Sequence, residues 1–187
     1  MNNNRKNLIF YLTATCNLKC KYCYIDKSPC LIEIDNLLKK SYEDDYYFNY
    51  AKNIVSKDSL NRIEFWGGEP SYGLPRFYTL LPKFINYYPN LNNFLMSTNL
   101  TSDSFFDDFY GFLKILKNFK RNFTFTLQMS IDGPQEINDR NRGIGTTEKF
   151  LNNFYYFLET IEENTPPNVT VNFHFKQTLT LEDIANL

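Results

Sequence analysis

Short apolar runs alternate with longer amphipathic segments throughout this chain of 187 residues. Each run has the length of a strand and ends in a polar or glycine-rich turn, and a segment with helical periodicity follows it. The runs cover residues 8–13, 62–66, 93–98, 123–131 and 169–178. The helical segments lie near residues 35–55, 76–87, 104–118 and 147–163, and a last one begins at 181–183. This order predicts an α/β fold with a parallel sheet covered by helices.

The predicted strands place their unusual turns at one edge of the sheet. In a parallel sheet all carboxyl ends meet at the same edge, and the binding sites of such folds lie there. The first run ends at a group of cysteines, the second at Gly67-Gly68-Glu69-Pro70 and the fourth at Asp132-Gly133-Pro134. We therefore expect the functional site at this edge.

Two of the predicted strands also carry a polar face. Apolar residues alternate with Thr, Gln and Ser in the fourth run, and with Thr, Asn, His174 and Lys176 in the fifth. Parallel strands that are covered on both sides are usually apolar throughout. The polar face thus predicts a solvated lumen able to hold ligands, with the apolar face under the helices. For the last strand, a solvent-exposed edge is the alternative.

The composition is that of an ordinary globular domain, with 43% hydrophobic residues, 22% charged residues and a formal net charge of -1. Nucleic acid is not expected as a partner, because phosphate binding needs clustered Lys and Arg. The N-terminal apolar segment is too short for a signal peptide, and no run approaches the roughly 18 residues of a membrane span. These patterns predict no membrane association and a cytoplasmic location, where cysteines stay reduced.

Cys16, Cys20 and Cys23 follow the first run with the spacing Cys-x3-Cys-x2-Cys. Three thiolates on one loop can hold three irons of a four-iron cluster and leave the fourth iron open to a cofactor. Alternatively, Cys30 supplies a fourth ligand and the loop binds zinc. A zinc site leaves the Gly-Gly-Glu-Pro turn and the polar strand faces without a role, whereas a cluster leaves Cys30 as a small apolar residue.

Taken together, the motifs resemble those of the radical S-adenosylmethionine (radical SAM) superfamily. The cysteine motif, with Tyr22 before its last cysteine, is similar to the superfamily signature, and Phe65-Trp66-Gly67-Gly68-Glu69-Pro70 resembles its second-strand motif. Ser130-Ile131-Asp132-Gly133-Pro134 with Asn138-Asp139-x2-Arg142 resembles a fourth-strand motif of the branch that modifies peptides and proteins. That branch includes anaerobic sulfatase-maturating enzymes and SPASM-type maturases of ribosomal peptides. The resemblance extends over nearly the whole chain.

The resemblance implies a four-iron, four-sulfur (4Fe-4S) cluster on Cys16, Cys20 and Cys23 whose open iron binds the amino and carboxylate groups of S-adenosylmethionine. One electron from the cluster would cleave the sulfonium and release a 5′-deoxyadenosyl radical, which abstracts a hydrogen atom from a peptide or protein substrate. An electron donor such as a flavodoxin or ferredoxin is implied as a partner.

The resemblance also implies roles in binding the methionine end of the cofactor. Gly67 and Gly68 would let backbone carbonyls approach the ammonium group, and Glu69 would add a charged acceptor. Arg142 is expected to bind the carboxylate, because a guanidinium matches a carboxylate bidentately. Arg140 is its rival.

Further residues are expected around the cofactor and the substrate. Ser130 would bond the ribose or the carboxylate, Asn99 would bond the ribose, and Tyr22 would place its backbone or ring against the adenine. Asp132 would shape its turn or touch the ligand. The fifth strand contributes residues that line the lumen or touch the substrate, namely His174, Lys176 and Gln177.

The chain departs from the superfamily pattern in its extent. The implied fold is a partial (β/α) barrel with about five strand–helix units of the usual six, and residues 1–187 would form a core domain, incomplete at its C-terminal end, without an auxiliary-cluster domain. Asn138 stands where the fourth-strand motif frequently has His. We expect a fragment of a longer protein, a naturally short relative, or a half whose barrel a partner chain completes. The alternative function is a truncated, non-catalytic module that binds a peptide or partner.

Overall fold

A computed structural model describes residues 5–25, 31–43, 45–179 and 183 of the chain. Within these residues, five strands form one parallel sheet in the sequential order β1-β2-β3-β4-β5. The strands are β1 (Lys6–Thr13), β2 (Leu60–Gly67), β3 (Asn93–Thr98), β4 (Phe123–Ser130) and β5 (Val169–Lys176). This arrangement confirms the α/β fold with a parallel sheet and matches a partial (β/α) barrel.

Helices connect successive strands. They are α1 (Leu31–Glu43), α2 (Tyr46–Ile54), α3 (Leu74–Phe77), α4 (Leu81–Tyr87), α5 (Phe105–Leu116), α6 (Gln135–Arg142) and α7 (Thr146–Asn164). A 3₁₀ turn, Pro70–Gly73, precedes α3. None of the helices in the described residues combines the length and the hydropathy that a membrane-spanning segment needs.

Two segments that are predicted as single helices are each divided in two. The segment at 35–55 becomes α1 and α2, and Asp45 lies between them with a left-handed φ of 57°. The segment at 76–87 becomes α3 and α4, with Pro75 and Pro82 in their first turns. Proline fixes φ and lacks an N–H, so it starts a helix more readily than it continues one. The helix expected at 181–183 lies outside the described residues except for Asp183.

Helix α6 is absent from the predicted elements because its buried face is polar. Its one apolar residue is Ile137, and its buried side chains are those of Asn138, Asn141 and Arg142. No hydrophobic period therefore marks the helix. Its start and stop signals are present, however: a proline before the first turn, arginines in the last turn and Gly143 after it.

The apolar face of the sheet packs against the helices in an aromatic core. The rings of Phe65, Phe94 and Phe125, from three neighbouring strands, stack with centroid distances of 6.3 Å and 6.1 Å. Phe112 of α5 meets each of these rings edge-on. All four side chains are buried, so the apolar face of β4 lies under the helices as predicted.

The last strand is more exposed than β4. Phe173 and Phe175 pack against Phe154 of α7, yet they remain 41% and 51% exposed. His174 on the other face is exposed as well. Since β5 pairs with β4 alone in the described residues, it has the character of the solvent-exposed edge that the sequence left as the alternative.

Candidate functional site

A cavity of about 170 Å³ lies at the carboxyl ends of the strands. Its wall comes from the loop after β1, the turn after β2, the ends of β3 and β4, and α6. The lining residues are Cys16, Leu18, Cys20, Cys23, Tyr24, Ile25, Trp66, Gly67, Gly68, Glu69, Pro70, Ser97, Thr98, Asn99, Ser130 and Arg142. The three motif cysteines therefore meet at one cavity with Gly67, Gly68, Glu69, Asn99, Ser130 and Arg142, whereas Tyr22, Asp132 and Arg140 are not among its lining residues.

The loop that carries the cysteines is folded by its own backbone and thiols. The N–H of Cys23 donates to the carbonyl of Cys20 at 2.9 Å, and the N–H of Leu18 donates to Cys16 Sγ at 3.4 Å. The three thiols are half-buried and free. Burial raises the pKa of Cys16 to about 11 and also raises the pKa of Cys20, where Arg142 opposes the shift. A metal ion that binds Cys16 and Cys20 would therefore have to displace protons from their thiols.

The thiols do not converge on a single point. In the part of the chain that the structure describes, no group of three His, Cys, Asp or Glu side chains is close enough together to hold one metal ion. A single zinc ion needs such convergence, whereas the thiolates of a cluster bind different irons. Both the cluster and the zinc site therefore stay predictions for these thiols. Cys30, the predicted fourth zinc ligand, lies outside the described residues.

Asp35 of α1 and Arg76 of α3 hold the start of the cysteine loop. Asp35 Oδ1 accepts hydrogen bonds from the Thr13 hydroxyl at 2.6 Å and from the Ala14 N–H at 3.0 Å. Arg76 donates to both Asp35 oxygens, at 3.1 Å and 2.6 Å, and to the Leu12 carbonyl at 2.9 Å. These bonds from Arg76 lower the pKa of Asp35 to about 2.

The Gly67-Gly68 turn packs against the backbone that leads to the cysteines. The N–H of Gly68 donates to the Thr13 carbonyl at 2.9 Å, and the N–H of Glu69 donates to the Thr15 carbonyl at 2.8 Å. A Cβ on Gly68 would lie 2.3 Å from the Thr15 oxygen, and one on Gly67 would lie 2.4 Å from the Thr13 oxygen. The approach of two backbones thus requires both glycines. Their expected approach to a ligand stays a prediction.

Glu69 places a buried carboxylate beside the cavity. One oxygen accepts from the Ser71 N–H at 3.2 Å and the Thr98 hydroxyl at 2.8 Å, and the other accepts from the Asn99 N–H at 2.7 Å. Burial raises the pKa of this carboxyl. Among the described residues, no Lys or Arg forms an ion pair with it. A buried carboxylate held by neutral donors is a place that a cation would stabilise.

The side chain of Asn99 joins the end of β3 to the cysteine loop. Its amide nitrogen donates to Asn17 Oδ1 at 3.0 Å and to Cys16 Sγ at 3.7 Å. Its amide oxygen accepts from both the N–H and the hydroxyl of Thr101 at 2.8 Å. Because the amide is engaged within the protein, contact between Asn99 and a ribose stays a prediction.

Of the two candidate arginines, only Arg142 lines the cavity. Arg142 is 7% exposed, and its Nη2 donates to Asp132 Oδ1 at 2.7 Å. Its buried Nε has no hydrogen-bond partner among the described residues. Arg140 instead forms an ion pair with Asp183.

Tyr22 lies behind the cavity wall rather than in it. Its hydroxyl donates to Asp132 Oδ2 at 2.7 Å, and its ring centroid is 5.7 Å from the Arg142 guanidinium carbon. Tyr22 thus supports two residues of the site, and its contact with adenine stays a prediction.

Polar residues of the last two strands continue from the cavity. Ser130 lines the cavity and pairs in register with Lys176, whose Nζ lies 5.4 Å from the centroid of the Trp66 ring. Gln128 Nε2 and His174 Nε2 lie 3.1 Å apart on the same face. These residues continue the polar face from the cavity along the sheet, and a solvated lumen stays a prediction.

Some residues of the site were not predicted from the sequence. Asp35 and Arg76 each lie in an ordinary amphipathic segment, and only the fold brings them together. Trp66 and Ser97 had a usable signal, because period-two alternation places both on the face that Ser130 shares.

The chain is similar to known proteins in both its sequence and its fold. The profile of the radical SAM superfamily matches residues 10–187. The cysteine-type anaerobic sulfatase-maturating enzyme of Clostridium perfringens strain 13 is 28% identical over 139 residues, which cover 72% of this chain and 35% of that enzyme.

Two solved structures are similar over 90% of this chain. Native anSMEcpe with bound AdoMet has a TM-score of 0.55 and 26% identity, with 43% of that chain covered. Native anSMEcpe with bound AdoMet and Cp18Cys peptide has a TM-score of 0.54 and 25% identity, with 41% covered. The present chain thus spans less than half the length of these proteins.

Proposed function

The chain belongs to the radical SAM superfamily, and on that premise we propose that Cys16, Cys20 and Cys23 hold a 4Fe-4S cluster at which S-adenosylmethionine is cleaved. When bound, the cluster supplies the electron that breaks the sulfonium and leaves a 5′-deoxyadenosyl radical. The observation that carries the proposal is that three thiols, a buried carboxylate and a guanidinium line one cavity. Residues 1–187 act as the core domain for this chemistry.

Glu69 and Arg142 match the charges at the methionine end of the cofactor. In the part of the chain that the structure describes, the hydrogen-bond donors to the Glu69 carboxylate are neutral, so an ammonium group compensates its buried charge. Arg142 donates to Asp132 through Nη2, and its Nε has no hydrogen-bond partner among the described residues, so the guanidinium keeps N–H capacity for a carboxylate. The backbone of Gly67 and Gly68 also lines the cavity and offers carbonyls to the ammonium.

The adenosine end is assigned to the remaining lining residues. Ser130 has a half-buried hydroxyl at the end of β4, where it bonds the ribose or the carboxylate. Asn99 is the second ribose residue. Tyr22 contributes to the adenine side through the loop backbone beside the cavity.

We assign the substrate to the class of peptides or proteins. Two observations support this class: the chain is similar to a sulfatase-maturating enzyme, and a similar structure holds a peptide together with AdoMet. The polar face of β4 and β5 lies next to the cavity. It offers hydrogen-bonding groups to the backbone of an extended peptide substrate. The chemistry requires an electron donor such as a flavodoxin or ferredoxin and a reducing compartment, which we take to be the cytoplasm.

Anaerobic reconstitution with iron and sulfide tests the proposal. The protein should bind about four irons per chain, and dithionite with S-adenosylmethionine should yield 5′-deoxyadenosine. Cys20→Ala should lose both properties, because a thiolate ligand is removed. Cys30→Ala is the matched control and should keep both.

Two results would count against the proposal in different ways. Formation of 5′-deoxyadenosine by Cys20→Ala would disprove the ligand assignment. Binding of S-adenosylmethionine by reduced, iron-loaded protein without cleavage would instead support a non-catalytic binding module.

A further inference from the structure

Asp132, at the end of β4, is a buried carboxylate at which three parts of the site meet. Its side chain is 0% exposed. Oδ1 accepts from Arg142 Nη2 at 2.7 Å and from the Thr178 N–H at 3.2 Å, and Oδ2 accepts from the Tyr22 hydroxyl at 2.7 Å. Both carboxylate oxygens are therefore used, and each bond leads to a different element.

The backbone of Asp132 is fixed as well. Its N–H donates to Asn138 Oδ1 at 3.0 Å, and its carbonyl accepts from Gln177 Nε2 at 2.8 Å. Asn138 in turn donates to the Thr147 hydroxyl at 2.9 Å. A carboxylate that is held by its own backbone can impose its direction on the groups that it binds.

Tyr22 connects Asp132 to the cysteine loop. It lies between Cys20 and Cys23 in the sequence, so its hydroxyl bond fixes the part of the loop that bears two of the thiols. The next bond from this loop leads to the same helix as Arg142, since the N–H of Lys21 donates to the Asn141 carbonyl at 2.8 Å.

Arg142 closes the triangle between these groups. Its guanidinium lies over the Tyr22 ring at 5.7 Å while its Nη2 is bound to Asp132. A buried guanidinium without a carboxylate partner is unfavourable, and it would be free to adopt other rotamers. Asp132 both compensates this charge and fixes the plane in which the other N–H groups lie.

From this geometry we infer that Asp132 is a positioning residue, which orients Arg142 toward the carboxylate of the cofactor and ties that orientation to the loop of Cys20 and Cys23. The inference rests on the proposed function, because it acts on the proposed cofactor site. Asp132 itself lies outside the cavity wall, so it works through Arg142 and Tyr22 and not by direct contact.

The test compares two ligands on the reconstituted, iron-loaded protein: S-adenosylmethionine and decarboxylated S-adenosylmethionine. Asp132→Asn keeps the shape of the side chain but removes its charge. It should weaken binding of S-adenosylmethionine by about tenfold, the scale of one hydrogen bond to a charged group, and leave the decarboxylated ligand within about twofold. Equilibrium dialysis gives both constants, and the ratio between them is a quantity that general loss of structure does not change.

Tyr22→Phe is the second variant and carries the test if Asp132→Asn does not fold. It removes one hydrogen-bond donor from Asp132. The affinity for S-adenosylmethionine relative to the decarboxylated ligand should therefore fall by about threefold, the scale of a weaker hydrogen bond. Tyr110→Phe is the matched control, because the Tyr110 hydroxyl meets Thr160 at 2.6 Å, away from the cavity. Its ratio should equal that of the wild type.

Each outcome decides a separate question. Equal losses for the two ligands, or no loss for either, overturn the positioning role of Asp132. A wild-type protein that fails to load iron or to bind S-adenosylmethionine contradicts the proposed function before the variants are compared.

Discussion

Asp35, Glu69 and Asp132 differ in their partners, and of these three carboxylates Glu69 alone lines the cavity. Asp35 faces Arg76 and Asp132 faces Arg142, in ion pairs of 2.6 Å and 2.7 Å. Within the described residues, Glu69 accepts hydrogen bonds from neutral hydroxyl and N–H donors and forms no ion pair. Since the cost of a buried charge depends on whether it is compensated, Glu69 differs from the other two in having an unmet preference for a cation.

The first prediction concerns the uncompensated charge of the buried Glu69 carboxylate. Glu69→Gln should weaken binding of S-adenosylmethionine to the reconstituted protein by at least about tenfold, because a charge-assisted bond to the ammonium is lost. The midpoint of urea unfolding should change little, since removal of a buried charge offsets the replacement of one acceptor by a donor. Isothermal titration calorimetry and urea denaturation measure the two effects.

Glu159→Gln serves as the control for the same chemical change. Glu159 is exposed on α7, and its substitution should alter neither property. Unchanged affinity in Glu69→Gln would show that the carboxylate does not face the ammonium.

The second prediction concerns the pH dependence that Asp35 contributes to stability. Arg76 lowers the folded-state pKa of Asp35 to about 2, while the unfolded chain has a value of about 3.9. A lowered carboxyl pKa stabilises the fold above the unfolded value, and this contribution disappears as the pH falls through the folded value. The stability difference between wild type and Asp35→Asn should thus be full at neutral pH and shrink from about pH 4 to about pH 2.

Urea unfolding at several pH values measures this difference, and taking the difference cancels groups that titrate alike in both proteins. A difference that stays constant down to about pH 2 would show that Asp35 is not paired in solution.

Among the elements, the turn after β2 depends on its contact with the loop after β1. Gly68→Ala would push a Cβ to 2.3 Å from the Thr15 carbonyl, so one backbone must move. We expect a loss of about 1–3 kcal/mol in the free energy of unfolding, as for other overpacked sites, together with lower iron content after reconstitution. Denaturant unfolding and iron analysis are the measurements.

A glycine in open space provides the control for the Gly68 prediction. Gly145 has a φ of 81° and nothing within 4 Å of an added Cβ. Gly145→Asn should cost less than about 1 kcal/mol, because Asn tolerates left-handed φ, and it should retain full iron content. Normal iron content in a destabilised Gly68→Ala would separate the turn from the cysteine loop.

The strands were predictable to within a few residues because each is a run bounded by turn residues. The bounds of β3, Asn93–Thr98, coincide with the predicted 93–98. The helices were less predictable, since local events divide them, such as the left-handed Asp45 and the proline that opens α4. Helix α6 was not predicted because its buried face is polar. The regular spacing of apolar residues that indicates an amphipathic helix is therefore missing.

At the scale of the whole molecule, the site was predictable where it follows from topology. Cys16, Gly68, Ser130 and Arg142 come together because their segments follow the carboxyl ends of neighbouring parallel strands. The bond of Tyr22 to Asp132 and the pair of Asp35 with Arg76 were not predictable. They depend on the directions of side chains from elements far apart in the sequence, and no local pattern encodes those directions.

The sheet and its aromatic core also link the cavity to the stability of the whole chain. The cavity wall draws on β2, β3, β4 and α6, and the strands among these elements belong to the same sheet and core. A ligand bound there should therefore raise the global unfolding transition and not only order a loop. For reconstituted protein, S-adenosylmethionine at about 100 times its Kd should stabilise the fold by about 2.7 kcal/mol. For a chain of this size, that free energy corresponds to a rise of about 5–10 °C in Tm.

Glu69→Gln at the same concentration, with tenfold weaker binding, should show about half the gain, or about 1.4 kcal/mol. Far-UV circular dichroism follows the sheet and cluster absorbance follows the cysteine loop during the same anaerobic melt. A shift in the absorbance transition without one in circular dichroism would mean that the loop melts separately from the sheet.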